Sequence, residues 1–165
     1  MTAIGVFVAT RWELAAVRQA FAASERRVVG GIRCVVARQG QVEWWVIPMG
    51  VGPERATTTA RRVLAEQSLA AVWSTGFACA LAPARIGEVL IGTQVTMEEG
   101  SEAGRPVPCA PVFVAWVRQA LQEQRLPVQS GRFVTVPRVL CRAEEKQEIA
   151  VRAGGIGLDM ESAAL

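Results

Sequence analysis

The stretch Gly154-Gly155-Ile156-Gly157-Leu158-Asp159-Met160-Glu161-Ser162 runs from a short apolar segment into two carboxylates that bracket a methionine. If the apolar segment is a buried strand, Asp159 and Glu161 lie at its carboxyl end, where open α/β sheets bind their ligands. A carboxylate there can accept hydrogen bonds from a vicinal diol, and Met160 offers a soft apolar surface beside it. The same residues also read as a helix start, with Asp159 as the cap and Glu161 in the first turn, where the helix dipole favours negative charge. Both readings require a strand that ends at residue 158, so the stretch already points to alternating strands and helices.

Working outward, the remaining segments fit that pattern. Ala3–Ala9 is an apolar, β-branched run expected to be a buried first strand. Thr10-Arg11-Trp12-Glu13 has the form of a capping box, and the apolar spacing behind it predicts a helix over 11–23. Residues 28–38 read as a strand kinked at Gly30-Gly31, and Gln39-Gly40 turns it into a second strand, 42–49. Gly50-Val51-Gly52 breaks that strand, and Pro53 is placed to open a helix.

Further strands are expected at 69–75, 88–95 and 131–136, with helices at 111–124 and 143–151. A loop of small residues spans 76–83, and Glu98–Pro108 reads as an exposed, mobile excursion. The expected fold is α/β: a three-layer α/β/α arrangement with a mixed, mostly parallel central sheet, in a single domain over 1–165.

Composition narrows the function classes. With 165 residues, 51% hydrophobic and 20% charged, the chain can bury a sizeable core. No apolar run reaches the roughly 18 residues of a membrane span, and the apolar start lacks the basic region of a signal peptide, so a cytoplasmic location is expected. The net charge of +3 comes from scattered arginines, with Lys146 as the one lysine. A nucleic-acid footprint would be concentrated on one face, so none is expected. Cys34, Cys79, Cys109 and Cys141 are far apart and histidine is absent, which argues against a metal site and removes imidazole-based catalysis. Buried free thiols are expected for all four. No Walker loop or dinucleotide fingerprint is present, and no cofactor is expected.

Four segments fall where strands end: Thr10–Glu13, Gly50–Gly52, Ser74–Leu81 and Asp159–Glu161. In this order they resemble the nucleoside phosphorylase and nucleosidase superfamily, in particular the methylthioadenosine/S-adenosylhomocysteine nucleosidases. The resemblance covers the whole chain and is carried by Thr10-Arg11-Trp12-Glu13, Met49-Gly50-Val51-Gly52-Pro53, Ser74-Thr75-Gly76-Phe77-Ala78 and Leu158-Asp159-Met160-Glu161-Ser162.

It implies cleavage of the N-glycosidic bond of an adenosine-type nucleoside by water. Glu13 would orient and activate the water, Glu161 would grip the ribose hydroxyls, and Met160 and Val51 would pack beside the sugar. Gly76, Phe77, Ala78, Val139, Leu140 and Asp159 would line the pocket and base site. Carboxylates near the ring suit a cationic, oxocarbenium-like ribose. Glu13 also closes the capping box, and one side chain is not expected to fill both roles fully.

Three departures stand out. The family's catalytic acid falls beyond Leu165, so the chain reads as truncated, which leaves a nucleoside-binding protein without turnover as an alternative. Phe77 stands where the family commonly has a serine that contacts phosphate or water, which weakens a phosphate-dependent alternative. Val139 and Leu140 replace an aromatic that stacks on the base. Phe77 and Pro137 hint at a divergent branch, such as one cleaving adenosine from a large lipid like a hopanoid. A nucleoside, with phosphate as a second candidate, is the expected small-molecule partner. A homo-oligomer, as a dimer, is also expected, with Trp44, Trp45 and Trp116 open to either an interface or a core role.

Overall fold

The computed structural model describes residues 1–99 and 102–165, which form two compact units, Met1–Phe77 with Ala164–Leu165 and Ala78–Ala163. Each unit carries its own mixed sheet and two helices, as expected of the α/β class. The strands pair as two sheets rather than as one continuous one, with parallel pairing at β4-β1-β5 in the first and β11-β10-β7 in the second. The β2–β3 and β3–β4 connections are tight returns, which force antiparallel pairing; strand character is visible in a residue pattern, but strand direction is not.

The first unit contains β1 (Thr2–Val8), α1 (Arg11–Gln19), β2 (Glu25–Val29), β3 (Ile32–Gln39), β4 (Val42–Pro48), α2 (Pro53–Glu66) and β5 (Ala71–Ser74). The sheet order is β2-β3-β4-β1-β5, with β1 parallel to both β4 and β5. Successive side chains of a strand point to opposite faces. Phe7 therefore packs with Ala56, Ala60 and Val63 of α2, whereas Val6 and Val8 pack with Leu14 and Val17 of α1. Covering on both faces explains why β1 is apolar throughout rather than alternating.

Two expectations here are corrected. The segment around Gly30-Gly31 is a hairpin turn between β2 and β3 rather than a kinked strand. Both glycines have positive φ, 56° and 70°, which suits a two-residue hairpin loop. The first helix also ends earlier than 23. Its last turn closes through bonds from Ala20 N to Val17 O and Phe21 N to Arg18 O, and Phe21 then lies 6.1 Å from Trp44. Trp44 in turn meets Trp73 edge-on, while Trp45 is buried in the core of this unit.

The second unit contains β6 (Cys79–Ala80), β7 (Val89–Glu99), β8 (Glu102–Ala103), β9 (Val107–Pro108), α3 (Pro111–Glu123), β10 (Val128–Thr135), α4 (Ala143–Ala153) and β11 (Gly155–Asp159), with a short 3-10 turn at Ser162–Ala164. The order is β6-β11-β10-β7-β8, with β9 also paired to β7, and β10 is parallel to β7 and β11. Val134, Val136, Leu140, Ile149, Ala153 and Leu158 form its core. Gly157 is required by a close approach: a Cβ there would sit 2.7 Å from the Phe133 ring.

The loop expected over 76–83 includes β6, which pairs antiparallel with β11 through Leu158 and Cys79. Of the excursion expected over Glu98–Pro108, Gly100 and Ser101 lie outside the described residues; β7 reaches further into it than expected, and β9 pairs back onto β7. The half-buried stripe of α3 is Val114, Val117 and Leu121, as its spacing predicts, and Trp116 is exposed. No helix among the described residues is long and apolar enough to cross a membrane.

All four cysteines are free, but only Cys34 is fully buried; Cys79 and Cys109 are partly buried and Cys141 is exposed. In the segment before α4, Leu140 takes the core position and leaves its neighbour outside. Burial pushes the Cys34 thiol up to about 11 from 9.0.

Two outcomes are expected. Phe7→Ala removes a fully buried ring from the first unit and lowers stability in urea unfolding by about 3–5 kcal/mol. At pH 8 a disulfide reagent modifies Cys141 rapidly, while Cys34 reacts only on unfolding. Because the folded Cys34 thiol holds its proton more tightly than the unfolded one, its contribution to stability is intact below pH 9.0 and is lost as pH rises towards about 11.

Candidate functional site

Parallel pairing brings the carboxyl ends of β4, β1 and β5 to one edge of the first sheet, where the loop after β4 carries Val51, the first turn of α1 carries Glu13 and the loop after β5 carries Gly76-Phe77. Glu13 is the buried member of this set, only 7% exposed. Thr10 caps α1 in extended geometry, and its hydroxyl accepts the Glu13 N–H at 3.2 Å. In return Glu13 Oε2 accepts the N–H groups of Thr10 at 2.7 Å and Ala9 at 2.9 Å, which completes the capping box.

The other oxygen looks elsewhere. Oε1 accepts the backbone N–H of Phe77 at 2.8 Å. The Phe77 amide is placed by the β1–β5 ladder, which pairs Phe7 with Ser74 and continues through Thr75 N to Phe7 O at 3.1 Å. Gly76 makes the approach possible, since a Cβ on it would lie 2.3 Å from Oε1. All three partners are donors, so the group that completes the set is an acceptor-only carboxylate. A carboxylate offers about four acceptor positions; three are taken, and one remains on Oε1. The cap thus uses Oε2, and Oε1 serves the loop after β5 with one acceptor position to spare.

Each of the three segments that follow β1, β4 and β5 also carries an exposed apolar side chain. Phe77 is 79% exposed, Trp12 64% and Val51 47%. Val51 is held out by Gly50 and Gly52, whose φ of 81° and 96° place both in the region that favours glycine. The residue patterns did not reveal Ala9, Thr10 and Phe77 as backbone donors, because an N–H group leaves no mark in a sequence; the Thr10–Glu13 spacing was the only signal.

The second unit holds the other expected residues. Asp159 ends β11, and its Oδ1 accepts the Thr135 hydroxyl at 2.7 Å and the N–H groups of Glu161 and Ser162 at 3.2 Å each. The Thr135 oxygen itself accepts the Ala163 N–H at 2.9 Å. Asp159 is therefore the cap of this turn. Glu161 is buried at 8% exposure, and its Oε2 accepts the Met160 N–H at 3.3 Å. Met160 packs against the core of this unit.

Ala78 is exposed. Val139 is exposed as well, whereas Leu140 belongs to the core, so of that pair only Val139 is open to a ligand. Among the described residues no group of three His, Cys, Asp or Glu side chains could hold a metal ion.

A family model described as the phosphorylase superfamily matches residues 3–165. The chain belongs to this superfamily. Superfamily structures with the same fold include futalosine hydrolase of Helicobacter pylori, at a TM-score of 0.89 and 18% identity over 99% of this chain and 81% of that one. The 5′-methylthioadenosine/S-adenosylhomocysteine nucleosidase of Neisseria meningitidis, in complex with methylthio-immucillin-A, aligns at a TM-score of 0.89 and 18% identity over 99% and 78% of the two chains. The S-adenosylhomocysteine nucleosidase of Streptococcus pyogenes aligns at 0.88 and 21% over 99% and 75%. No match was found among curated proteins. At these identities the likeness establishes the fold.

Gly76→Ala tests the packing of Glu13. Its new Cβ displaces the carboxylate and leaves buried N–H groups without an acceptor, at a cost of about 1–3 kcal/mol in denaturant unfolding. A variant as stable as the parent would show that the carboxylate moves aside freely.

Proposed function

We propose that this superfamily member, as a single phosphorylase-like domain, hydrolyses the N-glycosidic bond of an adenosine-type nucleoside. The observation that carries this reading is the Glu13 carboxylate, fastened by three backbone N–H groups with one acceptor position left on Oε1. A water molecule that donates to this position is held with its lone pair directed away from the carboxylate. As the bond from C1′ to the base nitrogen breaks, its electron pair leaves with the base, which takes a proton from solvent, while C1′ becomes electron-poor and the held water attacks it. The water proton passes to Oε1, and the carboxylate also stabilises the developing positive charge.

In the same reading Glu161 accepts hydrogen bonds from the ribose hydroxyls, Met160 and Val51 give the sugar an apolar contact, and the base rests on Val139 with Gly76, Phe77 and Ala78 nearby. Asp159 supports this indirectly by fixing the turn that presents Glu161. Water is favoured over phosphate as the nucleophile because Phe77 supplies no side-chain donor. The fold relatives support the same reading, since they include a futalosine hydrolase and a 5′-methylthioadenosine/S-adenosylhomocysteine nucleosidase.

The test is release of free base from methylthioadenosine, S-adenosylhomocysteine, adenosine and inosine by the full gene product, with and without phosphate. Turnover that does not depend on phosphate is expected, and Glu13→Gln lowers kcat by about 10²–10⁴-fold with a much smaller change in KM. Nucleoside binding in calorimetry without base release would replace the enzyme with a binding protein, and strictly phosphate-dependent turnover would replace it with a phosphorylase.

A further inference from the structure

The first helix stops at Gln19 instead of running on to 23, and the chain turns away over 20–24 before β2 begins. Where the helix stops, a cleft of about 450 Å³ opens between its last turn and the β2–β3 hairpin. That is within the roughly 300–1,000 Å³ of small-molecule sites. The cleft lies at the opposite end of α1 from Glu13.

Its lining has an apolar part and a cationic part. Phe21 and Val35 are half-buried and pack, with Trp44, against the cluster of Val6, Val8 and Val46. Arg18, from the last turn of α1, and Arg26, from β2, are exposed and bring two guanidinium groups to the same cleft. Arg26 is the ladder partner of Val35, and directly opposed residues of an antiparallel pair share a face, so this cation stands on the side of the sheet that α1 covers.

Donors exceed acceptors in this corner. Among the described residues neither Arg18 nor Arg26 forms an ion pair, and the one acid on the lining, Glu25, is paired with Arg27. At the helix end, the Val17 and Arg18 carbonyls already accept the N–H groups of Ala20 and Phe21. The indole N–H of Trp44, buried in the apolar cluster, has no acceptor among the described residues.

We propose that this cleft binds a small organic anion, a carboxylate or phosphate ester on an aromatic body, with Arg18 and Arg26 at the head group and the ring against Phe21 and Val35. A guanidinium recognises either head group through paired N–H···O bonds. The Ser24 hydroxyl on the same lining adds a donor, and the Phe21 ring gives an aromatic body a stacking surface. Nothing in this site depends on Glu13, so it stands apart from the hydrolytic reading.

Calorimetric titration of the full gene product with 2-naphthoate and with 2-naphthyl phosphate is the test. One-to-one binding with a Kd below about 1 mM is expected for at least one of them. Arg18→Gln and Arg26→Gln each weaken it by roughly 10-fold. Arg61→Gln, an equal loss of charge on the exposed side of α2, leaves it unchanged. The neutral 2-naphthamide and bare inorganic phosphate each bind at least about 10-fold more weakly than the better anion. Which of the two naphthyl anions binds more tightly assigns the head group.

No saturable binding of either anion overturns the proposal, and so does binding that Arg61→Gln weakens as much as the two cleft variants do. Binding of the amide or of inorganic phosphate as tight as that of the naphthyl anions overturns it too. All three arginines are exposed, and an unchanged Tm for each variant confirms that the comparison is between folded proteins.

Discussion

The first unit depends on one carboxylate accepting hydrogen bonds from both sides. Glu13 Oε2 ties the start of α1 to the end of β1, and Oε1 ties the same point to the loop after β5. Buried donors of this kind are costly when unmet, because each loses its water on folding. The bonds therefore constrain one another: α1 must start at residue 11, β5 must run parallel to β1 in the observed register, and residue 76 must lack a side chain. The hydrophobic core of Phe7, Ile47 and Val63 supplies the bulk of the burial, but it would tolerate small shifts that this three-donor set would not.

This explains how much of the molecule was legible in the sequence. The strand–helix alternation, the capping box at Thr10–Glu13, the proline-led start of α2 and the apolar stripe of α3 are all written in side-chain periodicity and in local cap chemistry. The hairpin at Gly30-Gly31 was misread because adjacent glycines fit both a bulge and a two-residue turn, and pairing partners decide between them. The division into two sheets was invisible for the same reason: a strand's direction relative to its neighbour is set by the whole chain path. At the site, Glu13 could be found through its spacing, but its third bond could not, since the Phe77 amide is a donor whatever side chain stands there. Val139 and Leu140 are alike as residues, and only the packing of the second core assigns one to the interior.

The two acidic stretches solve a shared problem in different ways. Each lies at the carboxyl end of a parallel strand, and each must satisfy the N–H groups exposed where the chain leaves the sheet. In the first unit one carboxylate meets them, with Oε2 for the cap and Oε1 for the loop after β5. In the second, two residues share the donors. Asp159 takes the donors of the turn together with the Thr135 hydroxyl, and Thr135 passes the network on to the Ala163 amide.

The cap of this turn is Asp159 rather than Glu161. Oδ1 of Asp159 is engaged by three donors, the Thr135 hydroxyl and the N–H groups of Glu161 and Ser162, while Glu161 Oε2 accepts the Met160 N–H at 3.3 Å. The Asp-x-Glu spacing thus gives the cap to the first acid, because Oδ1 two and three residues back is the acceptor within reach of the Glu161 and Ser162 N–H groups, and the cap reading of this stretch belongs to Asp159.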